Sequence, residues 1–91
     1  MLWIEGGAGL IRKTYVAVTV LFDTNGKMTP LSVIWQDGRK FVIDRVLGQE
    51  RAASIRAGGI GIRYHIRIAG KETYLWYEDP AWFVEESTNN P

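Results

Sequence analysis

The sequence predicts an all-β fold: a six-strand antiparallel meander that closes into a small barrel or a strongly rolled sheet. The clearest observation is residues 60–68, where Ile and Tyr alternate with Gly, Arg and His. A period of two residues is typical of a strand that buries one of its faces. A second observation is the dipeptide Asp37-Gly38, which is favoured at the centre of β-hairpin turns. The other apolar stretches are short and are separated by closely spaced turn residues.

Three strands are predicted in the first half of the chain. The first spans 13–23 and ends at a turn that contains a glycine. The second spans about 29–36 and the third spans 39 to about 47, on either side of the Asp-Gly dipeptide. If that dipeptide is the whole loop, its length predicts these cross-strand pairs: Ser32 with Ile43, Val33 with Val42 and Ile34 with Phe41.

The segment 48–59 is predicted to be irregular or to form one or two short helical turns that end at Gly58. Three more strands follow at 60–68, 72–78 and 81–85. The chain therefore divides into three parts: an irregular lead-in at 1–12, a single β domain at 13–86 and a frayed tail at 87–91.

Two short loops determine which side chains of the last three strands share a face. A Gly70-Lys71 loop pairs Ile66 with Leu75, whereas an Ala69-Gly70 loop shifts the pairing by two residues and keeps the faces. The turn at Asp79-Pro80 adds these neighbours: Tyr74 with Glu85, Leu75 with Val84, Trp76 with Phe83 and Tyr77 with Trp82. One face of these strands is then apolar and is predicted to form the core.

The opposite face is predicted to be an aromatic and basic surface patch. With the Gly70-Lys71 loop, His65 stacks on Trp76 at the centre of the patch, beside Phe83. Glu78 and Glu85 lie on the same face. The candidate binding surface consists of six side chains: Arg63, His65, Arg67, Tyr74, Trp76 and Phe83.

Composition limits the possible functions. With 91 residues the chain has room for one domain and a modest core. The absence of cysteine excludes disulfides, thiolate zinc sites and thiol nucleophiles. Residues 39–71 hold eight bases and two acids, and residues 72–91 hold five acids and no base. This distribution predicts charge pairing between neighbouring strands or, alternatively, a polarised surface.

No motif in the sequence supports catalysis or a metal site. Asp23-Thr-Asn-Gly26 lacks the later oxygen ligands of a calcium loop, and Gly58-Gly-Ile-Gly61 lacks the strand–loop–helix setting of a phosphate loop. His65 is the only histidine, which is too few for a zinc site, and no serine lies in the context of a catalytic triad. We therefore expect no cofactor, no bound metal and no enzymatic activity.

These observations predict a non-enzymatic binding module. A protein partner or a second copy of the chain is expected on the aromatic patch, because half-apolar aromatic faces are common at protein interfaces. In the alternative, single-stranded nucleic acid binds there, with Arg63 and Arg67 on phosphates and the three rings stacked on bases. In a third possibility, residues 1–13 cover the patch. A cytoplasmic location is expected, since no apolar run approaches the ~20 residues of a membrane span and the N-terminus lacks a signal-peptide pattern.

Several segments also carry a resemblance to known proteins: Phe22-Asp-Thr-Asn-Gly26, Pro30 with Trp35, Asp37-Gly-Arg39, Ile43-Asp-Arg-Val46, Arg51-Ala-Ala-Ser54, Gly58-Gly-Ile-Gly-Ile-Arg-Tyr64 and Trp82-Phe-Val-Glu85. Through them, residues 13–86 resemble a small bacterial family of uncharacterised β-domain proteins. That resemblance implies a small β domain and no particular activity. The hairpin around Gly38-Arg39 and the Trp-Phe ending are also similar to accessory β domains of some bacterial lesion-bypass polymerases, which implies a link to nucleic acid.

Overall fold

The computed structural model describes residues 11–53 and 60–87. These residues form six strands: β1 (Ile11–Phe22), β2 (Met28–Ile34), β3 (Lys40–Ala53), β4 (Ile60–Ile68), β5 (Lys71–Glu78) and β6 (Ala81–Ser87). Each strand pairs antiparallel with the next, and β6 pairs with β1, so the sheet closes into a barrel. The prediction of an all-β, six-strand meander that closes into a small barrel is confirmed. In this part of the chain no helix is long and apolar enough to cross a membrane.

The strand β3 is longer than the sequence predicts. It continues through residues 48–53, which pair with 60–65 of β4, so the prediction of an irregular or helical segment is wrong there. Two irregularities in the register, between Ile43 and Arg45 and between Val46 and Gly48, keep this long pairing aligned. The strong alternation of β4 supplies a partner edge, which outweighs the weak strand preference of Gly and Ala in β3.

Some predicted segments fall outside the described residues. The later part of the predicted loop, 54–59, is one of them. The lead-in up to residue 10 and the tail from residue 88 are the others. Within the described part, β1 begins two residues before the predicted first strand, and β6 extends to Ser87.

The hairpin between β2 and β3 has a three-residue loop. The Trp35 N–H donates to the Arg39 carbonyl at 2.8 Å, and the Gly38 N–H donates to the Trp35 carbonyl at 2.9 Å. Gly38 has a φ of 91°, so the turn is followed by a left-handed glycine, the usual form of a three-residue hairpin. The predicted pairs are therefore wrong by one residue, and the observed pairs are Ser32 with Val42, Val33 with Phe41 and Ile34 with Lys40.

The hairpin between β4 and β5 has the two-residue loop Ala69-Gly70. Both residues have positive φ, 52° and 75°, which is the signature of a type I′ turn. Tyr64 pairs with Leu75 in consequence, so the second of the two predicted registers is the observed one. As predicted, this shift by two residues leaves the inward and outward faces unchanged.

The barrel interior holds the core, which consists of Val33, Ile43, Tyr64, Ile66, Leu75 and Trp82. The Trp82 ring lies between the rings of Tyr64 and Tyr77, with centroids 5.4 Å and 4.9 Å away. The Tyr64 hydroxyl donates to the Met28 carbonyl at 3.0 Å. Burial raises the pKa of Tyr64, and the nearby Tyr77 adds to that rise. This aromatic stack fills the end of the barrel where β5 turns into β6.

Gly61 allows a close approach of β4 to β5. A Cβ atom at this position would lie 2.5 Å from the carbonyl oxygen of Tyr77, whereas a Cβ at Gly48 would have no atom within 4 Å. We expect Gly61→Ala to lower the free energy of unfolding by about 1–3 kcal/mol, because backbone atoms must move apart. The matched variant Gly48→Ala should change it by less than about 0.5 kcal/mol. Urea unfolding of both variants checks this, and equal effects would contradict the close approach.

Candidate functional site

The predicted patch lies on the outside of the barrel, across β3, β4, β5, β6 and the start of β1. We call this surface the aromatic face. It consists of the six predicted side chains, Arg63, His65, Arg67, Tyr74, Trp76 and Phe83, together with four residues that contact them, Lys13, Tyr15, Glu50 and Glu72, and with Glu78, which pairs with Lys13. The sequence therefore predicted one continuous surface, and barrel closure adds the residues from β1.

Phe83 is the most buried residue of the six predicted side chains on the aromatic face. Its ring stacks on Trp76, with centroids 5.8 Å apart and planes within 7° of parallel. Tyr15 contacts it edge-on, and the Lys13 ammonium lies 4.5 Å from its centroid. Phe83 is only 1% exposed. It therefore packs against Trp76 and does not present an exposed ring to a ligand, which corrects its predicted role as a contact residue.

Arg63 occupies the centre of the aromatic face. Its guanidinium lies 4.5 Å from the Tyr74 ring centroid and 5.8 Å from that of Trp76. His65 packs against Tyr74 with the two rings tilted by 31° and their centroids 5.0 Å apart, and the predicted stack of His65 on Trp76 is wrong. The reason is the Ala69-Gly70 turn, which moves every cross-strand partner by two positions. Cations and rings thus alternate across the surface.

Three ion pairs neutralise the lysine and arginine side chains of the aromatic face, and His65 contacts one of the same carboxylates. Arg67 pairs with Glu72 at 2.9 Å, and the His65 imidazole lies 3.3 Å from the same carboxylate. The Lys13 ammonium pairs with Glu78 at 3.1 Å, and Arg63 pairs with Glu50 of β3. The predicted pairing of the basic middle with the acidic end is confirmed at Arg67 and Glu72. The role of Glu50 was not predicted, because its segment was not expected to be a strand beside β4.

The ion pair with Arg67 affects the titration of Glu72. The hydrogen bond from Arg67 is the main cause that holds the pKa of the Glu72 carboxyl below its ordinary value, although desolvation opposes it. A group with a depressed pKa in the folded state stabilises the fold above its unfolded-state pKa. That contribution is lost as the pH falls through the folded-state pKa.

We expect Arg67→Gln to raise the pKa of Glu72 toward its ordinary value, because the variant removes both the charged donor and its electrostatic attraction. Carboxyl carbon chemical shifts recorded across an acid titration would measure this. As a control, Arg51→Gln removes an exposed cation that forms no ion pair with the described residues, and it should leave the Glu72 titration unchanged. If Arg67→Gln has no effect on Glu72, the ion pair does not form in solution.

A shallow groove of about 260 Å³ crosses the aromatic face over Gly48. Its lining residues are Gly48, Gln49, Glu50, Arg63, His65 and Tyr74. Gly48 forms its open floor because no side chain projects there. The groove offers ring faces and one charge pair. Within residues 11–53 and 60–87, no three His, Cys, Asp or Glu side chains converge to hold a metal ion.

The possible cover of the aromatic face by the start of the chain falls mostly on residues 1–10, outside the described part. Of residues 1–13, Lys13 contacts Phe83, and the neighbouring Tyr15 does so as well. The predicted cover itself stays a prediction. Comparison of the chain with protein-family models, with curated proteins and with solved structures finds no match. The resemblances noted in the sequence therefore stay predictions.

Proposed function

We propose that this barrel is a non-enzymatic module that contacts proteins through its aromatic face. The observation that carries the proposal is the alternation of rings with cations that already have carboxylate partners. A partner that covers such a face removes ring surface from water and leaves no cation unpaired, which avoids the largest penalty of burying charge. Trp76 and Tyr74 are the natural anchors, because aromatic side chains at the centre of an interface contribute most of its binding energy.

A second copy of the chain is a suitable partner for this face. The ion pairs of Arg63 with Glu50, and of Arg67 with Glu72, place positive and negative charges side by side. A two-fold interface requires a surface that complements itself, and a patch of balanced charges around rings meets that requirement. We therefore infer self-association as the form of contact that can be tested without knowing another partner.

Single-stranded nucleic acid is the second candidate, and one observation favours it. Tyr74 is 44% exposed and carries the Arg63 guanidinium 4.5 Å from its ring centroid, which combines a stacking surface with a cation. Three features weigh against it: a phosphate would have to displace Glu50 from Arg63, it would have to displace Glu72 from Arg67, and Phe83 offers no exposed ring. We place this candidate below protein contact.

We expect Trp76→Ala to weaken self-association by more than about tenfold, because an anchor at the centre of an interface contributes about 2 kcal/mol or more. Arg67→Glu and added salt should have smaller effects, since burial of apolar surface is not screened. Leu21→Ala, at the opposite end of β1 from Lys13 and Tyr15, is the matched control and should associate like the natural chain. Sedimentation equilibrium over a range of concentrations and salt would measure all of these.

Two results would contradict the proposal. A natural chain that stays monomeric at millimolar concentration would remove the self-association form. Tight, salt-sensitive binding of a short mixed single-stranded oligonucleotide, abolished by Arg67→Glu, would favour the nucleic-acid candidate instead.

A further inference from the structure

The barrel is not paired evenly all the way round. Pairing of β5 with β6 ends at Trp76 and Phe83, although the two strands continue to Lys71 and Ser87. The other edge of β5 is paired with β4, and the other edge of β6 is paired with β1. The predicted neighbours Leu75 with Val84 and Tyr74 with Glu85 are therefore not formed as strand pairs. Residues 71–75 and 84–87 face each other as two free edges among the described strands.

A cleft of about 410 Å³ lies between these two edges. Buried core residues, Val33, Ile66 and Leu75, form its floor. Its walls are mainly apolar and include Trp35, Phe41, Ile68 and Val84. This volume falls within the range of about 300–1,000 Å³ that is usual for small-molecule and side-chain binding sites. The cleft therefore combines unpaired strand edges with an apolar pocket.

The seam between β2 and β3 is also short, and it differs in one respect. There the pairing covers only 32–34 with 40–42, but the Tyr64 hydroxyl donates to the Met28 carbonyl in the unpaired stretch. In the described part of the chain, no side chain forms such a bond with the backbone of 71–75 or 84–87. Alternate backbone groups on these edges point toward the cleft, where residues 11–53 and 60–87 provide no strand partner for them.

We propose that the cleft between β5 and β6 binds an extended peptide segment of a partner protein, which adds a strand along these edges. Its backbone would pair with the free N–H and C=O groups, and its inward side chains would enter the apolar pocket. Its outward side chains would lie beside Glu72 and Tyr74 on one edge and Glu85 on the other. The partner segment therefore has apolar residues at alternate positions and Lys or Arg between them.

Charge at the rim supports this choice of partner. Three carboxylates, of Glu72, Glu85 and Glu86, line the cleft together with a single ammonium, of Lys71. Glu72 pairs with Arg67, and Glu86 lies 4.0 Å from Arg12, whereas Glu85 has no ion-pair partner among the described residues. A basic side chain of the peptide would form an ion pair with the Glu85 carboxylate. This site shares Glu72 and Tyr74 with the aromatic face at its rim, but its apolar pocket and its strand edges do not depend on the contact proposed there.

The test uses an acetylated and amidated peptide in which four Lys residues alternate with Val, Phe and Val. Added to the full chain at low salt, it should shift the amide signals of residues 71–75 and 84–86. It should also slow hydrogen exchange at alternate amides of these stretches, as strand addition requires. The same peptide with every backbone amide N-methylated keeps the side chains and the carbonyl acceptors but has no backbone N–H donor. It cannot form a strand ladder and should not bind.

Two pairs of variants test whether the peptide binds in the cleft and whether it pairs with Glu85. Thr73→Phe projects a ring into the cleft and should abolish binding, whereas Thr19→Phe, an exposed strand position elsewhere, should not. Glu85→Gln should weaken binding several-fold more than Thr24→Lys, which changes the net charge equally at a distant turn. The proposal is overturned by equal binding of the N-methylated peptide, by shifts confined to Arg63, His65 and Trp76, or by no shift at millimolar peptide. A dimer that Thr73→Phe disrupts would show that a second copy fills the cleft, and would overturn it too.

Discussion

Replacing Trp82 by alanine is expected to lower the free energy of unfolding by about 3–5 kcal/mol. Trp82 is 8% exposed, and its ring is held between Tyr64 and Tyr77 inside the barrel. Truncation leaves a cavity that rigid strands on all sides cannot close. A chain of this size has a total stability of about 5–14 kcal/mol, so the variant should be partly or largely unfolded.

The matched comparison is Trp76→Ala, which removes the same side chain from the outside of the barrel. It loses the stack on Phe83, and we expect a cost of about 1–2 kcal/mol with the fold retained. Urea unfolding followed by far-ultraviolet circular dichroism would compare the two variants. If Trp76→Ala proves the more damaging, the assignment of inner and outer faces is reversed.

Leu75→Ala is expected to have the next largest effect, a loss of about 2–5 kcal/mol. Leu75 is fully buried, at 0% exposure, and it packs in the middle of the core at the floor of the cleft between β5 and β6. Water entering through the cleft would fill part of the space left by the side chain. The site is apolar, so this water would find few hydrogen-bond partners and would recover little of the loss.

The control for this variant is Leu21→Ala, since Leu21 is 51% exposed on β1. It should change the stability by no more than about 0.5 kcal/mol. Chemical unfolding of both proteins under the same conditions gives the comparison. A loss of less than about 1 kcal/mol for Leu75→Ala would mean that the core is not packed around this residue.

The last three strands were predictable because their alternation is regular. β4 begins and ends at the predicted residues, and the outward side chains of β4 and β5 are those the sequence assigns. Side chains two residues apart on a strand point to the same face. The candidate surface was therefore predicted although the loop was uncertain, because a shift of two residues changes the cross-strand partners but not the face. The ring that contacts His65 was not predicted, because it depends on which of the two loops forms. The observed loop requires a positive φ at Ala69, and no pattern in the sequence predicts that conformation for an alanine.

Other features depend on three-dimensional closure and could not be read from local patterns. An Asp-Gly pair occurs in both two-residue and three-residue hairpins, so the one-residue error between β2 and β3 was not avoidable from the sequence. The extension of β3 through Ala53 depends on pairing with β4, and it brings Glu50 to Arg63. Likewise, Lys13 and Tyr15 reach Phe83 only because β1 closes the barrel against β6.

The end of pairing between β5 and β6 has a similar origin. The alternation of residues 71–87 favours a full hairpin, yet the strands separate beyond Trp76 and Phe83. Each strand must also follow its other neighbour around a small, strongly twisted barrel, and their directions diverge. The strand propensity of the residues does not reflect this competition between two neighbouring strands. The cleft therefore arises only when the barrel closes.

The central claim is that the aromatic face is a protein-contact surface, and amide NMR over a dilution series tests it most directly. Spectra of the natural chain from about 20 μM to 1 mM span the weak affinities expected of a small interface. We predict concentration-dependent shifts at Arg63, Tyr74 and the Trp76 indole, and little change at Val42, which is exposed on the part of β3 that pairs with β2. The shifts at Arg63 and Tyr74 should be lost in Trp76→Ala. Spectra that do not change with concentration, but shift at Arg63 and Tyr74 when a short oligonucleotide is added at low salt, would contradict it.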